Sequence, residues 1–73
     1  MNRIVALFKT TRSAIRAERL CKQEGIKCKM VPVPREFSSE CGMAIEFDQS
    51  MEEQPIRILF EKEQIIATFH IQS

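Results

Sequence analysis

Apolar residues along this chain switch between continuous, helical and alternating spacing, and each switch marks an element. The run Ile4-Val5-Ala6-Leu7-Phe8 is apolar without interruption and stops at Lys9-Thr10-Thr11, the pattern of a central strand covered on both faces. Thr10 or Thr11 then offers a side-chain oxygen to the first backbone N–H groups of a helix. Through Glu24 the spacing is helical: Ala14, Ala17, Leu20 and Cys21 share one face, while Arg12, Arg16, Arg19 and Lys22 lie on others. Gly25 stops that helix as its C-terminal cap residue.

From Ile26 the period falls to two. Ile26, Cys28 and Met30 alternate with Lys27 and Lys29, so a half-exposed strand is expected. A polar, proline-bearing loop follows, and Met43-Ala44-Ile45-Glu46-Phe47 returns as a third strand with its odd positions facing the core. Asp48-Gln49-Ser50 signals a turn into a second helix, for which two starts compete. Ser50 and Glu53 have the spacing of a capping box. Alternatively Pro55 is the first helical residue, where its missing N–H costs least, and the helix runs to about Glu63, burying Ile56, Leu59 and Phe60. Ile65 to Ile71 forms the last strand, rich in β-branched residues.

The order strand, helix, strand, strand, helix, strand predicts an α+β, ferredoxin-like βαββαβ sandwich, with two helices on one face of a four-stranded antiparallel sheet. One small domain over residues 1–73 is expected. The other sheet face should stay open, carrying Val5 and Leu7 with Ile66 nearby. An uncovered apolar face favours association, so a homodimer is expected, formed through that face or along the edge strand bearing Lys27 and Lys29.

With 73 residues, the chain buries only roughly 60% of the surface it exposes when unfolded. Its 44% hydrophobic and 29% charged residues are ordinary for a globular protein, and no apolar run approaches the roughly 20 residues of a membrane helix. No signal-peptide pattern opens the chain, so a cytoplasmic location is expected. Residues 1–36 hold nine basic and three acidic side chains, a balance of +6; residues 37–73 hold two and seven, a balance of −5. The simplest consequence is pairing of the two halves across one fold. With no Trp or Tyr to stack on bases, the pattern argues against a nucleic-acid partner.

Candidate chemistry rests on sulfur. Three cysteines without a Cys-x-x-Cys pair, and one histidine, His70, far away in sequence, argue against a zinc site or a disulfide framework. No metal or cofactor is expected. Cys21 lies on the apolar stripe of the first helix and Cys28 alternates with Ile26 and Met30, so both read as small buried hydrophobes. Cys41 lies outside both patterns, in the loop Pro32-Val33-Pro34-Arg35-Glu36-Phe37-Ser38-Ser39-Glu40-Cys41-Gly42. It is the candidate reactive thiol. Arg35 is the nearest cation able to favour a thiolate, Glu36 and Glu40 oppose it, and backbone N–H groups at Gly42 or in a turn through Ser38 and Ser39 are further anion stabilisers. Gly42 also admits close approach of another molecule. No catalytic dyad is visible: His70 meets Cys41 only if both lie at one end of the sheet. Glu52, Glu53, Glu61 and Glu63 read as a solvated helical face.

The segment Pro34-Arg35-Glu36-Phe37-Ser38-Ser39-Glu40-Cys41-Gly42, with the N-terminal strand, the Thr-rich helix start, Ala17-Glu18 and Gly25-Ile26 before it, resembles the Se/S carrier protein-like family. The likeness covers most of the chain and is most specific in the Pro-Arg-Glu, Ser-Ser and Cys-Gly stretches. It implies a carrier more than an enzyme: Cys41 would hold sulfur or selenium as a persulfide or perselenide, taken from a donor protein and passed to an acceptor. In the small sulfur-relay proteins of this size the cysteine opens a helix, whereas here a strand follows, so activation would come from Arg35 or loop amides. The competing class is a non-catalytic, dimeric interaction or regulatory module.

Overall fold

The first strand, β1 (Arg3–Leu7), lies in the middle of the sheet, and a computed structural model describes it together with the remainder of residues 3–37 and 42–72. Four of its five residues are buried, as its continuous apolar run requires when both faces are covered. Thr10 then caps α1 (Thr11–Gln23), its side-chain oxygen accepting from the Ser13 N–H at 3.1 Å. Ala14, Ala17, Leu20 and Cys21 are the buried face of α1, as the spacing predicts. Gly25, at φ 71°, adopts the left-handed turn that only glycine takes without strain.

The second strand, β2 (Cys28–Pro32), begins two residues later than the alternation suggests. Ile26 is held at the helix end instead, its N–H donating to the Cys21 carbonyl at 2.8 Å. Pro32 closes β2 without disturbing the ladder because β2 is an edge strand. The third strand, β3 (Met43–Phe47), pairs antiparallel with both β2 and β1.

Neither predicted start of the second helix is used. Ser50 turns back and donates both its N–H, at 3.0 Å, and its hydroxyl, at 2.6 Å, to the Asp48 carboxylate. These bonds hold that carboxyl below its usual range. α2 therefore spans Glu53–Lys62, with Pro55 inside the first turn, where no intrahelical donor is missed. Ile56 and Phe60 are buried, as expected, whereas Leu59, expected to be buried with them, is half-buried. The last strand, β4 (Thr68–Gln72), is shorter than the β-branched run. Gln64 at φ 57° and a bond from the Ile65 N–H to the Phe60 carbonyl, 2.9 Å, spend the first residues of that run on closing the helix.

The sheet order is β2-β3-β1-β4, all antiparallel, which is the ferredoxin-like arrangement. Ile4, Ala6, Ile45 and Phe47 meet α1 and α2 on one face, with Phe60 between Phe8, Phe47 and Phe69 at centroid distances of 6.3, 6.3 and 5.6 Å. The opposite face departs from expectation. Val5, Leu7 and Ala44 are buried there beneath Val31, Val33 and Phe37, so the loop after β2 covers the apolar stripe. Among the described residues, this cover leaves no open apolar stripe at Val5 and Leu7 through which a homodimer would form. Ile66 sits in the connection before β4 and is 76% exposed, outside that cluster.

Charge pairing joins the two halves at Glu46, whose carboxylate meets Arg3 at 2.6 Å and Lys29 at 3.7 Å. Among the described residues, no helix is long and apolar enough to cross a membrane.

Candidate functional site

The loop between β2 and β3 departs from an edge strand and returns beside it, and the chain fixes it at both ends. The Val33 N–H donates to the Gly42 carbonyl at 3.2 Å, extending the ladder one step beyond the Pro32–Met43 pair. Gly42 itself is at φ 74°, and a methyl group there would touch nothing within 4 Å. Its glycine is therefore required by backbone conformation, not by space.

Just inside that bond, Pro34 to Phe37 form a tight turn closed by the Phe37 N–H on the Pro34 carbonyl at 3.0 Å. Pro34 stiffens the turn and places Arg35 and Glu36 at its exposed corners. Phe37 then turns back to the sheet, where its ring stacks on His70 of β4 with centroids 4.5 Å apart and planes 25° apart. Sheet pairing explains this contact: Val5 pairs with Glu46 on one side and His70 on the other, so His70 borders the apolar patch that Phe37 covers. Burying Val5 and Leu7 there contributes about 1.5–3 kcal/mol each relative to exposure.

Of the sequence-predicted site residues, the structure brings Arg35 and Gly42 to the two flanks of the loop. Arg35 is exposed and takes part in none of the ion pairs among the described residues. Ser38, Ser39 and Cys41 lie outside the described residues. A strand does follow the Cys41-Gly42 pair, since β3 opens at Met43.

The other two cysteines fall where their periodicity put them. Cys21 is fully buried on α1, and Cys28 is half-buried at the start of β2 against the same core. Burial pushes the Cys21 thiol up to about 12, assisted by the neighbouring Cys28. Burial likewise raises Cys28, partly offset by a hydrogen bond from Cys21. Both thiols thus stay protonated near neutral pH.

Sequence reading missed two features. Phe37 and His70 act together as the loop's anchor, but a half-buried ring in a loop has no periodic signal to find. The meeting of Cys21 with Cys28 depends on how tightly the chain turns at Gly25, which spacing does not report.

No curated protein and no solved structure gives a match to this chain. A family model described as Putative Se/S carrier protein-like matches residues 3–71, nearly the whole of the fold and all of the loop. The chain belongs to the Se/S carrier protein-like family.

Proposed function

We propose that this protein carries sulfur or selenium on Cys41, bound as a persulfide or perselenide between a donor protein and an acceptor protein. The observation that supports this most directly is the anchoring of both flanks of the Cys41 segment: Gly42 bonds Val33, and Phe37 stacks on His70. A short stretch between two such anchors can offer a sulfur to another protein while the sheet below keeps its geometry. Cys21 and Cys28 are poor candidates for the same work, because burial keeps their thiols protonated.

Loading proceeds by transfer between sulfurs. The Cys41 thiolate attacks the terminal sulfur or selenium of a donor persulfide or perselenide, the bond to the donor cysteine breaks, and the donor leaves as a thiolate. Delivery repeats the step with the acceptor's thiolate as nucleophile. Neither step requires an external oxidant, since the two sulfurs exchange oxidation level. In this reading Arg35 stabilises the thiolate, Ser38 and Ser39 are supporting residues beside it, and Gly42 leaves room for the partner's backbone.

Mass spectrometry of protein purified without reductant tests the proposal. The expected result is an increment of one sulfur or selenium atom on the Cys41 peptide, removed by a thiol reductant and absent from Cys41→Ser. An increment located on Cys21 or Cys28 would overturn it.

A further inference from the structure

The sheet ends in two edges of opposite character. β2 carries Lys29, with Lys27 just before it, and closes on Pro32, the charges and proline that keep an edge from pairing with another chain. β4 has none of these. Thr68-Phe69-His70-Ile71-Gln72 holds no lysine, arginine, carboxylate or proline, and among the described residues no strand pairs with its outer side.

On the helix side this open edge is apolar. Phe69 and Ile71 lie opposite Ala6 and Ile4, which belong to the helix-side core. Phe69 is half-buried, but Ile71 is 52% exposed. Beside Phe69 lies a cavity of about 350 Å³ lined also by Phe60, Ile65, Ile66 and Ala67. Its charged lining is balanced: Arg57 sits over the Phe69 ring at 5.0 Å and pairs with Glu53, and Glu61 follows one turn later on α2. No excess of one sign opposes an incoming chain there.

We propose that β4 pairs antiparallel with β4 of a second copy, joining two sheets into one of eight strands about a two-fold axis at His70. Such an axis, normal to the sheet, keeps the helices of both copies on one side, so residues opposite one another must share a face. The register that meets this condition and uses the whole of β4 places His70 opposite His70 of the second copy, Phe69 opposite its Ile71 and Thr68 opposite its Gln72. The strand is then its own complement. Each copy's exposed Ile71 falls beside the other's Phe69, at the mouth of the cavity, and both isoleucines are covered at once, an aromatic and β-branched pairing suited to facing strands. On the opposite face Phe37 stacks on His70, so the axis brings the Phe37 flanks of two Cys41 loops to the same side of the joined sheet. The pairing stands whether or not Cys41 carries sulfur.

The test combines mass in solution with register. Light scattering of the full chain at micromolar concentrations should give the dimer mass, and Ile71→Lys, which places a charge at an exposed position and leaves the Phe37–His70 stack in place, should weaken association by about tenfold or more. In a Cys41→Ser background, His70→Cys should form an intermolecular disulfide under mild oxidation, because directly opposed residues have Cα atoms about 4.5–5.5 Å apart, within disulfide reach. Thr68→Cys in the same background should not, since the two copies of residue 68 lie about 13 Å apart along the strands. A wild-type chain that stays monomeric, a dimer that survives Ile71→Lys but is lost in Lys29→Glu, or cross-linking at residue 68 as fast as at residue 70 would overturn the proposal.

Discussion

Three cysteines in three surroundings should react at three rates. Under native conditions we expect timed alkylation to label Cys41 first, Cys28 second and Cys21 last. The ranking follows burial for the two described thiols and loop position for Cys41; earlier labelling of Cys21 would show that the core is not closed as described. Cys21 also makes stability depend on pH. Its folded value, about 12, stands above its ordinary value of 9.0, so the native state holds this proton more tightly than the unfolded chain does. The stabilisation is complete below about pH 9 and is lost as pH rises toward 12. Denaturation midpoints should therefore fall across that alkaline window, and Cys21→Ala should flatten the fall. Arg35→Ala is expected to move the Cys41 alkylation profile toward higher pH, since an exposed guanidinium in the same loop favours the thiolate; an unchanged profile would leave Arg35 with a docking role.

Among the elements, the loop that carries Cys41 is also a lid on the sheet. Phe37→Ala removes the stack on His70 and uncovers Val5 and Leu7, which should cost about 2 kcal/mol in chemical denaturation. The variant should also self-associate more than the wild type in light scattering, because it recreates the open apolar face that the bare topology implies. Gly42→Ala, imposing a side chain at φ 74°, should cost about 1–2 kcal/mol. The periodic parts of these elements were legible from sequence: the uncapped run of β1, the Thr10 cap and four-residue buried face of α1, and the alternation of β3 each follow from neighbours in the chain. What was not legible depends on distant partners. The α2 start is not legible because the Ser50 hydroxyl and N–H both donate to the Asp48 carboxylate two residues back, so Ser50 turns back instead of capping the helix, and the cover over Val5 is not legible because Phe37 finds His70 only through the β1–β4 pairing.

The whole molecule is held mainly by its helix-side core. At 73 residues its total stability should be about 4–11 kcal/mol. Phe60 is packed against three other aromatic rings, and Phe60→Ala should remove about 3–5 kcal/mol of that total. Loss of cooperative thermal unfolding in this variant, with Phe60→Leu retaining it, is the expected outcome. The ion pairs Arg3–Glu46, Lys29–Glu46 and Arg57–Glu53 all involve exposed cations and should each matter by less than about 1 kcal/mol. Added salt should accordingly shift the midpoint little.

The central place of β1 sets the order in which the protein can assemble as it is made. β1 is made before both of its partners, β3 and β4, with Leu7 opposite Thr68 and Arg3 opposite Gln72. Its two neighbours therefore arrive late and last, and such non-local closure is slow. Until residues 68–72 emerge, Cys21 lacks the closed core that protects it. A pulse of alkylating agent given to stalled nascent chains should label Cys21 readily in chains ending before Thr68 and poorly once β4 has cleared the exit tunnel, so the least reactive thiol of the finished protein becomes the reporter of its completion.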